Sequence, residues 1–170
     1  GRLSKDGYRE YSDRDWTAFH GAIDFIRSYE GDQPLCIFLA LEFPHPPYGV
    51  EEPYFSMIDR NKIPERTQTP LHWEGKPLIL QGIAENQALQ NWTEEQWTEL
   101  RAAYLGMVAR VDDQFNRLLE ALRERDFYDD TAVFLFSDHG DFTGDFGIVE
   151  KTQNTMEDCL TRVPFAIKPP

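Results

Sequence analysis

Cations are scarce in this chain. Of 170 residues only 17 are Lys or Arg, against 30 Asp or Glu, giving a formal net charge of -13. That balance argues against nucleic acid as a partner, because a phosphate backbone needs a basic footprint. It also means that an anionic substrate must be met by individually placed cations, so each Lys or Arg beside a polar turn is informative. Cysteine is equally thin: Cys36 and Cys159 stand alone, with no metal-type or redox-type spacing. Cys36 lies inside an apolar run and is expected to be a small buried hydrophobe, and nothing in the pattern calls for a disulfide. No apolar stretch approaches the ~20 residues of a membrane span. Internal repeats, low-complexity segments and a signal peptide are missing as well. The chain opens at Gly1 and closes at Pro170 just as a strand finishes. Both ends read as cut, and the chain as a piece of a longer protein whose compartment stays open.

What is present is enough for one domain. At 41% hydrophobic residues, the chain can bury a sizeable core. Its most informative stretch is Ser137-Asp138-His139-Gly140-Asp141. It follows Thr131-Ala132-Val133-Phe134-Leu135-Phe136, whose β-branched and aromatic content predicts a buried, parallel-type strand. Ligands of open α/β sheets sit beyond the carboxyl ends of strands. A carboxylate and an imidazole side by side at that position supply oxygen and nitrogen donors for a metal ion. The plain alternative is an acidic turn in which Asp138 caps the next element and His139 is partly exposed.

The remaining elements follow in order. Gly1–Tyr11 is polar and loop-like. Ser12 or Asp13 can cap a helix carrying Trp16, Phe19, Ile23 and Ile26 at helical spacing, ended by Gly31 and Pro34. Residues 35–41 are apolar on both faces and predict a second buried strand that delivers His45 from its end, as the first delivers Asp138 and His139. Residues 48–91 are rich in proline and aromatics without sustained periodicity, which reads as a lid or pocket wall; His72 within them reads as a surface histidine. Asn91-Trp92-Thr93 matches a glycosylation sequon, but Thr93 with Gln96 makes a better capping box. The helix that follows holds Trp97, Leu100, Tyr104, Met107, Val111, Phe115, Leu118 and Leu122 on one face for about eight turns. The adjacent carboxylates Asp112 and Asp113 read as a solvated face with one buried contact. Helices alternating with strands predict an α/β fold with a largely parallel sheet flanked by helices.

If the two strands are neighbours, His45, Asp138 and His139 share one edge, and Lys151 can swing back over it after the glycine-rich turn. One metal with a carboxylate and an imidazole, plus two cationic or hydrogen-bonding groups, suits an anionic tetrahedral group such as sulfate or phosphate.

Ser137-Asp138-His139-Gly140-Asp141-Phe142-Thr143-Gly144-Asp145, with Lys151 and Arg162-Val163-Pro164, resembles the sulfatase family of the alkaline-phosphatase-like superfamily. The likeness runs back through Tyr104–Asp112, Phe43-Pro44-His45-Pro46-Pro47-Tyr48 and Ala22–Ile26, so it covers nearly the whole chain in order. By that resemblance Asp138 and His139 are metal ligands, and His45 and Lys151 contact the oxygens of the transferred group. It implies one divalent ion (calcium, manganese or magnesium, with zinc also compatible) and a small-molecule or glycan sulfate ester as substrate. Relatives with Asp-His at this turn include choline sulfatases and phosphonate monoester hydrolases.

The chain also departs from the family pattern. The nucleophile motif, Cys or Ser followed by x-Pro-x-Arg, occurs nowhere in it, so a formylglycine-type nucleophile is expected upstream of Gly1. These 170 residues alone are accordingly expected to be inactive, and the C-terminal subdomain is expected beyond them. Phe146 replaces a histidine found in many relatives, which predicts a more apolar pocket beside the metal. The rival readings are a phosphonate or phosphate ester hydrolase using the same site, and a sulfatase-like binding domain without catalysis.

Overall fold

The structure, a computed structural model, describes residues 13–152 and 154–170. The segment Gly1–Tyr11 and the alternative cap Ser12 lie outside the described residues.

The longest element is α4 (Glu94–Glu124), and its start follows from the sequence. Thr93 Oγ1 accepts the Gln96 N–H at 3.3 Å while Gln96 Oε1 accepts the Thr93 N–H at 2.8 Å. Two otherwise orphaned donors are thereby satisfied reciprocally, with Glu94 and Glu95 at the positive end of the helix dipole. The buried side of α4 is rotated from the expected apolar face. Trp97, Met107 and Leu122 are buried as expected, but the tightest positions are Ala102, Ala103, Gly106 and Ala121 together with Arg110 and Gln114. Small residues let neighbouring backbone approach. At Gly106 a Cβ would sit 2.8 Å from the Tyr54 carbonyl oxygen, so α2 (Tyr54–Met57) can lie against α4 only over a glycine. Asp112 is exposed, whereas Asp113 accepts the Tyr54 hydroxyl at 2.6 Å and pairs with Arg117. Asp113 is thus a structural contact and Asp112 part of a solvated face.

Helix α1 (Arg14–Ser28) is capped by Asp13, whose carboxylate accepts the Trp16 N–H at 3.0 Å, and it packs on α4. Ile23 and Ile26 meet Ala121 and Leu122 in one cluster, and Trp16 meets Val50, Tyr54 and Met107 in another. Each such side chain removed from water contributes about 1.5–3 kcal/mol. A third cluster gathers Leu80, Ala84, Phe142, Phe146, Ile148 and Leu160 under the glycine-rich turn. Its first two members belong to α3 (Leu78–Gln87), a ten-residue helix inside the segment expected to lack periodicity. His72 is exposed, as a surface histidine should be.

The sheet differs from expectation. Among the described residues the one ladder joins β1 (Val133–Phe136) and β2 (Phe165–Lys168), antiparallel, with Val133 opposite Lys168 and Phe136 opposite Phe165. The expected largely parallel sheet is not formed by the described residues. Residues 35–41 form no strand and are mostly exposed, Phe38 to 78% and Cys36 with it, so Cys36 is not buried. Likewise β1 is not buried on both faces, since Phe134 and Phe136 are exposed. The physical reason is that an apolar run becomes a strand only when a neighbour satisfies its backbone donors and acceptors. Neither cysteine is in a disulfide.

Candidate functional site

The turn after β1 is built around one glycine. Gly140 donates its N–H to the Leu160 carbonyl at 2.8 Å, and a Cβ on it would overlap the Cys159 carbonyl oxygen. Only glycine lets the chain pass there, which fixes the two residues before it. Ser137 Oγ donates to the His139 carbonyl at 2.7 Å, and the His139 N–H to Asp138 Oδ1 at 3.0 Å.

His139 Nδ1 lies 2.8 Å from the Gly140 carbonyl oxygen. A carbonyl only accepts, so Nδ1 carries the proton and Nε2 keeps its lone pair, the arrangement that metal-ligating histidines use. Nε2 is 3.9 Å from Asp138 Oδ1, and both side chains reach solvent. With bonds of about 2.0–2.6 Å to nitrogen and oxygen, one divalent ion can touch both. The donor set therefore fits a metal. Among the described residues no group of three or more His, Cys, Asp or Glu converges on one point, so a metal held here would take only part of its coordination shell from these two.

His45 arrives from a loop and not from a strand end. The buried Asp15 carboxylate accepts the N–H of Glu42 at 3.0 Å and of Phe43 at 2.9 Å. The Arg110 guanidinium stacks 3.8 Å above the Phe43 ring. Arg110 is wholly buried between Asp13 at 2.6 Å and Glu51 at 3.4 Å, and Glu51 also accepts the Trp16 indole N–H at 2.7 Å. Burial works against the Asp13 charge, but the Arg110 hydrogen bond and the Trp16 N–H prevail and lower its carboxyl below the usual range. Anchored in this way, the loop turns through the His45 N–H bond to the Glu42 carbonyl at 2.7 Å.

The structure brings His45 to Lys151, 106 positions away. His45 Nδ1 faces the Pro46 carbonyl at 2.7 Å, so its proton sits there, and Nε2 accepts from Lys151 Nζ at 2.5 Å. An ammonium has three N–H groups; one goes to the imidazole, leaving two for oxygens of an anion.

The two pairs are joined through Tyr48. Its hydroxyl lies 2.9 Å from both Asp141 oxygens and accepts the Glu150 N–H at 2.9 Å. Burial, and then the Asp141 charge, pushes the Tyr48 phenol far above its ordinary range, so it remains a donor. Burial also raises the Asp141 carboxyl, against hydrogen bonds from the Thr143 N–H and Tyr48. Cys159 is held as a thiol: burial, then Asp145 and Glu157, push it up to about 12, which keeps it from acting as a nucleophile. Phe146, expected to line the site, belongs instead to the third core cluster, with the Lys76 ammonium 4.2 Å from its ring centroid.

Sequence reasoning named His45, Asp138, His139 and Lys151 but missed Asp15, Arg110 and Tyr48. Asp15 looks like any acid in a helix's first turn, and Arg110 like a solvated helix cation. Tyr48 stood inside the quoted loop, and its spacing of three from His45 was the available signal.

The Sulfatase family profile matches residues 3–170. The chain is 27% identical to the multifunctional alkaline phosphatase superfamily protein PehA of Trinickia caryophylli, covering 94% of this chain and 33% of that protein. It is 29% identical to an arylsulfatase of Clostridium perfringens, over 96% of this chain and 34% of the relative. Among solved structures, the phosphonate monoester hydrolase of Agrobacterium radiobacter superposes with a TM-score of 0.80 at 26% identity, covering 92% of this chain and 33% of that one. The chain thus spans about a third of the length of the relatives it matches. With a profile that runs over nearly every residue and a fold shared with a superfamily hydrolase, this chain belongs to the sulfatase family.

Proposed function

We propose that the full-length protein hydrolyses a sulfate ester of a small molecule or glycan, using the edge formed by His45, Lys151, Asp138 and His139. The observation that carries this reading is the Lys151 Nζ to His45 Nε2 contact, which sets a cation and an imidazole side by side from distant parts of the chain. Asp138 and His139 would hold one divalent ion: calcium, manganese or magnesium, with zinc also compatible with the nitrogen donor. That ion, when bound, supplies Lewis-acid polarisation of a non-bridging oxygen.

The chain's own residues do the rest. Lys151 directs its two remaining N–H groups to oxygens of the transferred group, where negative charge rises in the transition state. His45 fixes the ammonium's direction and lines the same oxygens. A hydroxyl of a hydrated formylglycine-type nucleophile, contributed from upstream of Gly1, attacks sulfur as the sulfur–oxygen ester bond breaks, and its proton leaves with the alcohol. The sulfuryl group then departs as sulfate to regenerate the aldehyde, which water rehydrates. The remaining metal ligands come from the rest of the full-length protein.

One observation favours a second reading, phosphonate monoester hydrolysis: the TM-score of 0.80 with a phosphonate monoester hydrolase. Sulfate and phosphonate monoesters present similar tetrahedral anions to the same donors. The test is a pair of esters of one phenol, a sulfate and a phosphonate, offered to the metal-loaded full-length protein. Faster turnover of the sulfate ester, lost on chelation, is the expected result. Turnover of the phosphonate alone would overturn the sulfate reading in favour of the second.

A further inference from the structure

We infer that Tyr48 is a positioning residue for the reaction, the tie that holds the His45 loop in register with both the metal turn and Lys151. The inference rests on the site proposed above and extends it to a residue whose hydroxyl is engaged by Asp141 and the Glu150 N–H.

The case is geometric. Tyr48 lies three residues after His45. Its hydroxyl donates to Asp141, two residues after His139, at 2.9 Å, and accepts the N–H of Glu150, the residue before Lys151, at 2.9 Å. The same segment is braced internally, with the Thr143 N–H on Asp141 at 2.8 Å and the Phe142 N–H on the Glu150 carbonyl at 2.9 Å. A single phenolic oxygen thus joins the two stretches that carry all four site residues. The ring itself is fixed on the helix side: it packs against the cluster of Trp16, Val50, Tyr54 and Met107 and meets the Tyr104 ring edge-on at 6.3 Å between centroids. Tyr48 therefore acts as a short strut, its ring set in the core and its hydroxyl in the loops.

The strut matters because the direct link between the loops, Lys151 to His45, is the one a substrate must share. When Lys151 turns its donors toward an anion, the Tyr48 bonds still hold the spacing. Catalytic groups need placement to within about 0.5 Å, and a displacement of about 1 Å costs on the order of 100-fold. The hydroxyl is the part that counts; the ring's bulk only seats it.

The experiment compares Tyr48→Phe with Lys151→Ala in the full-length protein, using an aryl sulfate ester. Tyr48→Phe keeps the ring and removes both hydroxyl bonds. We expect kcat to fall about 10- to 100-fold while KM changes less than about threefold, the split left by misplaced transition-state donors. Hydrogen exchange at the Glu150 amide should quicken in the same variant, since its acceptor is gone. Loss of turnover in Lys151→Ala with normal kcat in Tyr48→Phe would overturn this inference and leave the site standing. Normal turnover in Lys151→Ala would overturn the site itself. Should Tyr48→Phe fail to fold, Asp141→Asn and Asp141→Leu decide the matter. The Asn oxygen still accepts from Tyr48, so it should retain at least about tenfold more activity than Leu; equal losses would count against the strut.

Discussion

Arg110 and Lys151 are both cations set against the His45 loop, and they are treated in opposite ways. Arg110 is fully buried, held by Asp13 and Glu51, and stacked on Phe43. Lys151 is half-buried at the surface, its hydrogen-bond partner is an imidazole, and among the described residues no carboxylate pairs with it. A cation already met by two carboxylates has no charge left to offer a ligand; one beside a neutral ring does. In a chain of net charge -13, a lysine at a polar turn with no carboxylate ion pair among the described residues can offer its charge to an anion. The buried cluster shapes the loop, and the exposed edge is the face proposed to meet the substrate.

The largest effect should come from breaking the buried side. Arg110→Ala leaves the Glu51 carboxylate buried without its cation and removes the stack on Phe43, so about 3–5 kcal/mol of stability should be lost. Urea melts of the full-length protein measure it. A loss under about 1 kcal/mol would mean that the cluster is as solvated as the edge.

Asp15→Ala tests the link between the two regions. It strands the Glu42 and Phe43 N–H groups, at about 1–3 kcal/mol, and frees the loop that carries His45. Turnover should fall with stability, unlike any change at the edge; turnover unaltered in a destabilised Asp15→Ala would separate the loop's anchoring from its chemistry.

At the edge the reverse holds. Asp138→Ala should lower metal affinity by roughly tenfold or more and leave stability of the metal-free protein within about 0.5 kcal/mol. Metal titration and thermal melts of the same samples check both halves of that statement.

The smallest effect is a pH dependence. Because the folded-state pKa of Asp13 lies below its unfolded value, its ionised form contributes stability above the unfolded carboxylate range and loses it as pH falls through the lowered folded value. In melts from about pH 6 down to about pH 2, Asp13→Asn should flatten the acid limb of the stability curve. An unchanged acid limb would show that Asp13 is not coupled to Arg110 in solution.

Much of this was legible from local chemistry. The Thr93–Gln96 capping box and the Asp13 cap each rest on interactions within a few residues, which sequence displays. His45 and Lys151 were placed on one edge by the strand-end and glycine-rich-turn reading, whose strand premise fails for His45, and the family resemblance gave them a shared role. What the pattern could not show depends on partners far along the chain. Residues 35–41 have the composition of a buried strand but no ladder neighbour among the described residues, whereas β1 pairs with β2 and yet has Phe134 and Phe136 exposed on one face. Arg110 and Tyr48 sit in patterns that suit solvent or an aromatic lid. Their roles come from residues 97 and 93 positions away, Asp13 and Asp141, and no periodicity reports such contacts.

The central claim is that Lys151, which has no carboxylate ion pair among the described residues, holds oxygens of a transferred group. Steady-state kinetics of Lys151→Ala in the metal-loaded full-length protein, read beside its thermal melt, tests it most directly. The account predicts a fall in turnover of about 100- to 1000-fold with stability changed by no more than about 0.5 kcal/mol. Near-normal turnover of the sulfate ester in Lys151→Ala would contradict it.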